Sequence, residues 1–214
     1  MTRKGPSWTL ATAVGVLALV GIAASATHYF WEPYNPAFLD FPIVTALHVV
    51  LGSIYLILAP LQFVSRIRSR HLAYHRRVGR LLVAIGLMVG ATALFMGLVI
   101  PFFGWGERVI IGLFGTVFLV ALTTGFLHVR AGRVALHREW MMRAFAAGLS
   151  IATQRLIFFP ALWIVEADPA DGQFAALWVA AFVAAFVLNL FVAEARIRAT
   201  RRSRVPRATT PEST

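Results

Sequence analysis

The chain has 214 residues, of which 59% are hydrophobic and 14% charged. Its mean hydropathy of +0.74 lies outside the range of a typical soluble domain, so the chain requires lipid as its solvent. The net charge of +11 would suggest nucleic-acid binding in a soluble protein. Here the arginines stand between long apolar runs, where membrane orientation already explains them, and no nucleic-acid partner is expected. The absence of cysteine excludes disulfides, thiolate nucleophiles and iron–sulfur clusters.

Six apolar stretches are each long enough to cross the ~30 Å hydrocarbon layer of a bilayer as a helix. They cover about 8–28, 42–64, 80–100, 108–128, 144–165 and 173–194. The sequence therefore predicts an all-α integral membrane protein, a bundle of six transmembrane helices over residues 1–195. A basic tail over 196–214 is expected to be disordered and to lie near anionic headgroups.

The first stretch has an alternative interpretation. Arg3 and Lys4, the apolar run and the triplet Ala24-Ser25-Ala26 resemble a secretory signal with its cleavage site. Cleavage of this segment is therefore an alternative to a first membrane span.

Charge alternates between the connections of the predicted spans. The first, third and fifth connections carry six acidic residues against the single arginine Arg108, whereas the second and fourth are rich in arginine, as are both ends of the chain. Because positively charged connections stay in the cytoplasm, we expect a multi-pass protein with both termini cytoplasmic.

Arg155 is the basic residue that this orientation does not explain, because it falls near the middle of the fifth predicted span. A charged side chain at the bilayer centre costs at least ~2.5 kcal/mol, and a guanidinium does not deprotonate in a protein. No carboxylate is expected at this depth. Arg155 therefore needs neutral acceptors, trapped water or an anionic ligand, and serves either to join helices or to bind.

The second predicted span carries a polar stripe at helical spacing. Its members are Thr45, His48, Gly52, Tyr55, Ala59 and Gln62. Polar residues inside a span normally face the bundle interior, so this stripe is expected to meet Arg155. The predicted ligand-binding residues are His48, Tyr55, Gln62, Gln154 and Arg155.

Four histidines flank the arginine-rich connections, namely His71, His75, His128 and His137. Ligation of haem by two histidines requires them at one depth on facing helices. His75 and His137 are the candidate ligands of a haem b, with neighbouring arginines to meet its propionates. Alternatively, these histidines are solvated residues at the membrane surface.

Two segments resemble a known family. They are LHVVLGSIYLILAPLQFVSRIRSRHLAYHRRVG, ending at Gly79, and HREWMMRAFAAGLSIATQRL, beginning at His137. Both are similar to domain-of-unknown-function family 2306, bacterial proteins described as membrane proteins. The resemblance implies a bacterial inner-membrane location and no established activity. Besides His48, Gly52, Gln62, Phe63, Gly79, Met141 and Arg155, it picks out a cytoplasmic-face motif of His75, Arg76, His137, Trp140 and Arg143.

The leading hypothesis is a membrane protein that binds haem or a lipid-soluble redox cofactor within its bundle, with membrane lipids and a quinone as expected partners. One alternative is a transporter or lipid-binding protein that uses Arg155 for an anionic ligand. Another is a non-catalytic accessory subunit. No hydrolytic arrangement stands out, since Ser150 has no histidine near it in sequence, so enzymatic activity stays open.

Overall fold

The computed structural model describes residue 12 and residues 15–16, 19–23, 40–166 and 172–203. Six helices occupy the two long ranges: α1 (Pro42–Gln62), α2 (Ser65–Arg70), α3 (Leu72–Val99), α4 (Trp105–Arg130), α5 (Val134–Val165) and α6 (Gly172–Arg202). The described residues of the range 12–23 are helical as well. The prediction of an all-α fold is confirmed.

Five of these helices, all except the short α2, are long and apolar enough to cross a membrane. They correspond to the second to sixth predicted spans. Most of the first predicted span, together with His28, lies outside the described residues. The count of six spans and the orientation of the termini therefore stay predictions.

Three helices extend further toward the basic segments than hydropathy predicts. Helix α3 begins at Leu72, α5 begins at Val134 and α6 continues to Arg202. Hydropathy marks only the part of a helix that lies in hydrocarbon, whereas backbone hydrogen bonding continues into the headgroup region.

The tail expected to be disordered from residue 196 is instead helical as far as Arg202, which corrects that prediction. Ile197 is 1% exposed, and Arg201 forms an ion pair with Glu139 at 2.5 Å. Packing against α5 thus holds the first residues of this segment in helix α6. Residues 204–214 lie outside the described part.

The long helices pack in chain order, α1 on α3, α3 on α4, α4 on α5 and α5 on α6, and α4 also contacts α6. Short connections make neighbouring helices antiparallel. Gly132, with φ +72°, lies in one of them and Gly104, also with φ +72°, in another. The basic ends of all five helices consequently meet at one end of the bundle, which we call the arginine-rich end.

Glycines let α3 approach α4 closely. A Cβ atom at Gly97 would lie 2.4 Å from Cγ2 of Ile111, and one at Gly90 would lie 2.4 Å from Cδ2 of Leu119. Small residues at such contacts are a common packing device between membrane helices. The close approach fixes the position of α3, which forms one wall of the site described below.

The helical segment around residue 21 packs between α1 and α5. A Cβ atom at Gly21 would lie 2.5 Å from Cβ and 2.9 Å from Cα of Ala152. Ile22 packs against a small buried cluster of Leu56, Leu149 and Ala152. The part of the first predicted span that the structure describes is therefore in contact with the bundle.

Candidate ligand site in the bundle

A cavity of about 250 Å³ lies between α1, α3, α4, α5 and α6, in the half of the bundle away from the arginine-rich end. Its walls are mainly aromatic and small, from Phe102, Phe114, Phe118, Phe182 and Phe186 and from glycines such as Gly52, Gly115 and Gly148. Its polar lining comes from Thr45, His48, Ser53, Tyr55, Glu107, Arg155 and Trp178. An apolar pocket with a few polar groups is the usual form of a small-molecule site.

Arg155 of α5 reaches this cavity with most of its hydrogen-bonding capacity unused. Its Nη1 donates a hydrogen bond to Oε1 of Gln154, and its guanidinium carbon lies 4.7 Å from the ring centroid of Trp178. A guanidinium has five N–H donors. Within the part of the chain that the structure describes, the other four form no hydrogen bond.

Glu107 of α4 lines the same cavity, which corrects the expectation that no carboxylate lies at the depth of Arg155. The residue is only 3% exposed, and its Oε2 accepts a hydrogen bond from the backbone N–H of Phe103 at 2.8 Å. Its charge interacts with that of Arg155, although no N–O distance between them is within the 4.0 Å of an ion pair.

Glu107 was not predicted as a site residue because the apolar part of α4 begins later than the helix itself. Hydropathy placed the start of this span at about residue 108, so Glu107 was assigned to a connection, whereas α4 begins at Trp105. An acidic residue in the first turn of a helix is favoured by the helix dipole. That signal could have placed Glu107 in helix α4 rather than in a connection.

His48 is held in place from α3. Its Nδ1 lies 3.2 Å from the carbonyl oxygen of Val89 and 3.1 Å from Oγ1 of Thr92. The Thr92 hydroxyl itself donates to carbonyl oxygens of α3, so we assign the proton to Nδ1 of His48. The unprotonated Nε2 is then available to accept a hydrogen bond.

Tyr55 lies about two turns further along α1 and is 5% exposed. Its ring meets that of Phe118 edge to face, with 5.8 Å between centroids. Among the described residues its hydroxyl has no hydrogen-bond partner, although it belongs to the cavity lining. His48 and Tyr55 therefore bring two hydrogen-bonding groups to the same cavity as Arg155.

The two predicted glutamines lie outside this cavity. Gln154 is completely buried, and its Oε1 accepts the hydrogen bond from Nη1 of Arg155. Gln62 lies nearer the arginine-rich end, where a Cβ atom at Gly79 would be 3.6 Å from its Oε1. Both side-chain polar atoms of Gln62 are buried and have no hydrogen-bond partner in the described ranges.

The family model of DUF2306, described as a predicted membrane protein, matches residues 45–197. This chain belongs to the DUF2306 family. The match includes every described lining residue of the cavity except Ile22, so the site lies within the family region. Neither the search of curated proteins nor that of solved structures found a match.

The residues around Trp140, predicted as part of a cytoplasmic-face motif, connect helices at the arginine-rich end. Arg143 binds Glu194 of α6 through two contacts, Nε to Oε1 at 2.5 Å and Nη2 to Oε2 at 3.2 Å. Its guanidinium also lies 4.8 Å from the ring centroid of Trp140. Nδ1 of His137 lies 2.8 Å from the carbonyl oxygen of Gly125 on α4. These three residues thereby fasten α5 to both of its neighbours.

The remaining motif residues, His75 and Arg76, lie in the first turns of α3. Arg76 is exposed, whereas His75 is half-buried, and its Nδ1 is enclosed with no partner among the described residues. His75 and His137 are near enough for their charges to interact. In the described ranges no group of three or more metal-ligating side chains occurs.

Asn189 of α6 is a half-buried polar residue that was not predicted from the sequence. Its Nδ2 donates to Oγ1 of Thr153 at 2.9 Å and to Oγ of Ser150 at 3.2 Å. Hydrogen bonds of this kind join membrane helices. Ser150 is therefore part of a helix contact between α5 and α6.

Proposed function

We propose that this DUF2306 protein binds a lipid-soluble ligand in the cavity, through a polar head group that accepts hydrogen bonds from Arg155. The observation that carries this proposal is a guanidinium that lines an aromatic cavity inside the bundle with four donors unused by the described residues. An ionisable residue within a membrane span is expensive and generally functional. A ligand with acceptor oxygens would satisfy those donors.

The lining residues of α1 support the same conclusion. His48 offers an acceptor nitrogen and Tyr55 a hydroxyl, so that one ligand can be held from α1 and α5 together. The volume of about 250 Å³ is just below the roughly 300–1,000 Å³ of pockets for drug-sized ligands. It suits a head group of one ring, such as a quinone ring with its two carbonyl oxygens, while a hydrocarbon tail extends between helices.

We further propose that the arginine-rich end faces the cytoplasm of a bacterial cell and that the cavity opens in the outer half of the inner membrane. The distribution of arginine supports this orientation, since positively charged connections are retained on the cytoplasmic side. The ligand then comes from the lipid phase or from the outer surface of the membrane.

A binding titration tests the proposed function. The protein in detergent is titrated with decylubiquinone, and the wild type is compared with Arg155→Gln and Arg108→Gln. Arg108 is a matched control because its guanidinium also stacks on a tryptophan, 5.3 Å from the ring centroid of Trp105, but it does not line the cavity. We expect Arg155→Gln to weaken binding at least ~10-fold, equivalent to about 1.4 kcal/mol, and Arg108→Gln to leave it unchanged.

Equal affinity of the wild type and Arg155→Gln, with both proteins monodisperse and helical by circular dichroism, would exclude the proposed role of Arg155. No binding of decylubiquinone by the wild type would count against the quinone head group. The accessory-subunit alternative predicts that none of the three proteins binds.

Haem binding at the arginine-rich end is a second candidate. His137 supports it, because an Nδ1–H donated to the Gly125 carbonyl at 2.8 Å leaves Nε2 free in the manner of a metal-ligating histidine. His75 is the candidate second ligand. Expression with haem supplied should then give a Soret band that disappears in His75→Ala and His137→Ala, and a wild-type spectrum without that band removes the candidate.

A further inference from the structure

Trp178 of α6 lies between the two charged residues of the cavity. The face of its indole contacts the guanidinium of Arg155 at 4.7 Å, and its Nε1–H interacts with the carboxylate of Glu107. That second contact falls short of hydrogen-bond geometry, since Nε1 has no partner in the described part of the chain. The indole therefore contacts both a positive and a negative side chain, which form no ion pair with each other.

The opposite charges of Arg155 and Glu107 leave the described lining of the cavity without net charge. Arg155 and Glu107 are the two lining residues with a formal charge among those described, and their charges are opposite. A ligand held by Arg155 thus also meets the field of Glu107, in a site where water screens charge poorly. A carboxylate or phosphate would lose its hydration and be repelled by Glu107, whereas a carbonyl oxygen incurs neither penalty in full.

We infer that the cavity selects an uncharged ligand with carbonyl oxygens and rejects carboxylates and phosphates, and that Glu107 is the residue which determines this selectivity. Because the inference rests on the proposed function, its experiment must separate the two. The same geometry disfavours the alternative in which Arg155 receives an anionic substrate for transport.

Glu107 also has a structural role, as the acceptor for the backbone N–H of Phe103 at 2.8 Å. A glutamine can accept that hydrogen bond through its own side-chain oxygen. Glu107→Gln therefore removes the negative charge and keeps the local contact, so a change in selectivity can be assigned to charge.

The experiment measures displacement of bound decylubiquinone by two probes of equal chain length, dodecanoate and its uncharged methyl ester. We expect the wild type to prefer the ester at least ~10-fold. In Glu107→Gln that preference should fall at least ~10-fold, because an anion then meets only Arg155. Glu166→Gln is the control, since Glu166 is an exposed acid at the end of α5, outside the cavity.

The outcomes separate the two proposals. If decylubiquinone binds but the wild type shows no preference for the ester, the selectivity is wrong and the proposed function stands. If Glu107→Gln keeps the wild-type preference, the assignment of the selectivity to Glu107 is wrong. If the wild type binds none of the three probes, both proposals are overturned. If Glu107→Gln does not fold, the preference of the wild type still tests the selectivity of the cavity itself.

Discussion

Arg155 on α5 and Trp178 on α6 are in cation–π contact, with the guanidinium carbon 4.7 Å from the indole centroid. Trp178 is 7% exposed and packs on Phe158 and Phe103, with ring centroids 5.0 and 5.5 Å away. These aromatic neighbours thus hold the indole in place independently of its contact with Arg155. Trp178 can therefore orient the guanidinium of Arg155 toward the cavity without occupying any of the guanidinium N–H donors.

Trp178→Leu should weaken decylubiquinone binding. Loss of a cation–π contact costs about 0.5–2 kcal/mol, or roughly 2- to 30-fold in affinity, and without the indole Arg155 can turn toward Glu107. Trp178→Phe keeps an aromatic face and should retain most of the affinity. Titration of both variants decides the question, and equal affinities for Leu and Phe would show that the aromatic ring does not position Arg155.

The ion pair between Arg143 and Glu194 should stabilise the bundle more than the pair between Arg201 and Glu139. Both pairs make two contacts. The side chains of Arg143 and Glu194 are 21% and 35% exposed, whereas that of Arg201 is 58% exposed against 10% for Glu139, so Arg201 keeps most of its hydration. Solvent-exposed pairs contribute only about 0–1 kcal/mol.

Double-mutant cycles measure this difference. Arg143→Met combined with Glu194→Gln should give a coupling free energy of about 1–2 kcal/mol, from thermal unfolding in detergent. Arg201→Met combined with Glu139→Gln should give less than ~1 kcal/mol. A larger coupling for the second pair would contradict the assignment of Arg143 as the stronger link between α5 and α6.

The site residues that could be predicted from the sequence are those whose chemistry contrasts with their surroundings. Arg155 and His48 are visible because ionisable residues are rare inside apolar spans. Glu107 was missed because it lies at the border of a span, where hydropathy cannot separate helix from connection. Trp178 was missed because aromatic residues are common in membrane helices, and its role depends on which helix lies opposite, which periodicity does not give.

The apolar parts of the helices could be predicted from the sequence. Length and hydropathy predicted nearly all of α1 and α4, because few residues of either helix lie beyond its apolar part. The ten residues of α5 from Val134 to Arg143 were not expected in a span because they carry several charges. Tertiary contacts such as that of His137 with Gly125 stabilise this part of the helix.

The orientation of the bundle can be measured by labelling, because the chain has no cysteine of its own. Single cysteines at Asp40 and Ala131 lie at opposite ends, both exposed. A membrane-impermeant maleimide should label Asp40→Cys in spheroplasts, and Ala131→Cys only after lysis, because the connection at Ala131 is rich in arginine. The reverse pattern would place the arginine-rich end outside.

Gly21→Ala tests whether the first predicted span is part of the mature bundle. The added Cβ would lie 2.9 Å from Cα of Ala152, and because backbone cannot move aside as a side chain can, the two helices must separate. We expect a loss of about 1–3 kcal/mol in the free energy of unfolding. Gly15→Ala is the matched control, with nothing within 4 Å of its added Cβ, and should be neutral or slightly stabilising.

Thermal unfolding of both variants, with intact mass measured on the same samples, separates the two interpretations of this segment. If the first span is retained, Gly21→Ala should unfold at a lower temperature than Gly15→Ala, in a protein of full mass. A signal peptide that is cleaved after Ala26 would remove both substitutions with it. The two purified proteins would then be identical in mass and stability, and the five long helices α1 and α3–α6 would form the bundle alone.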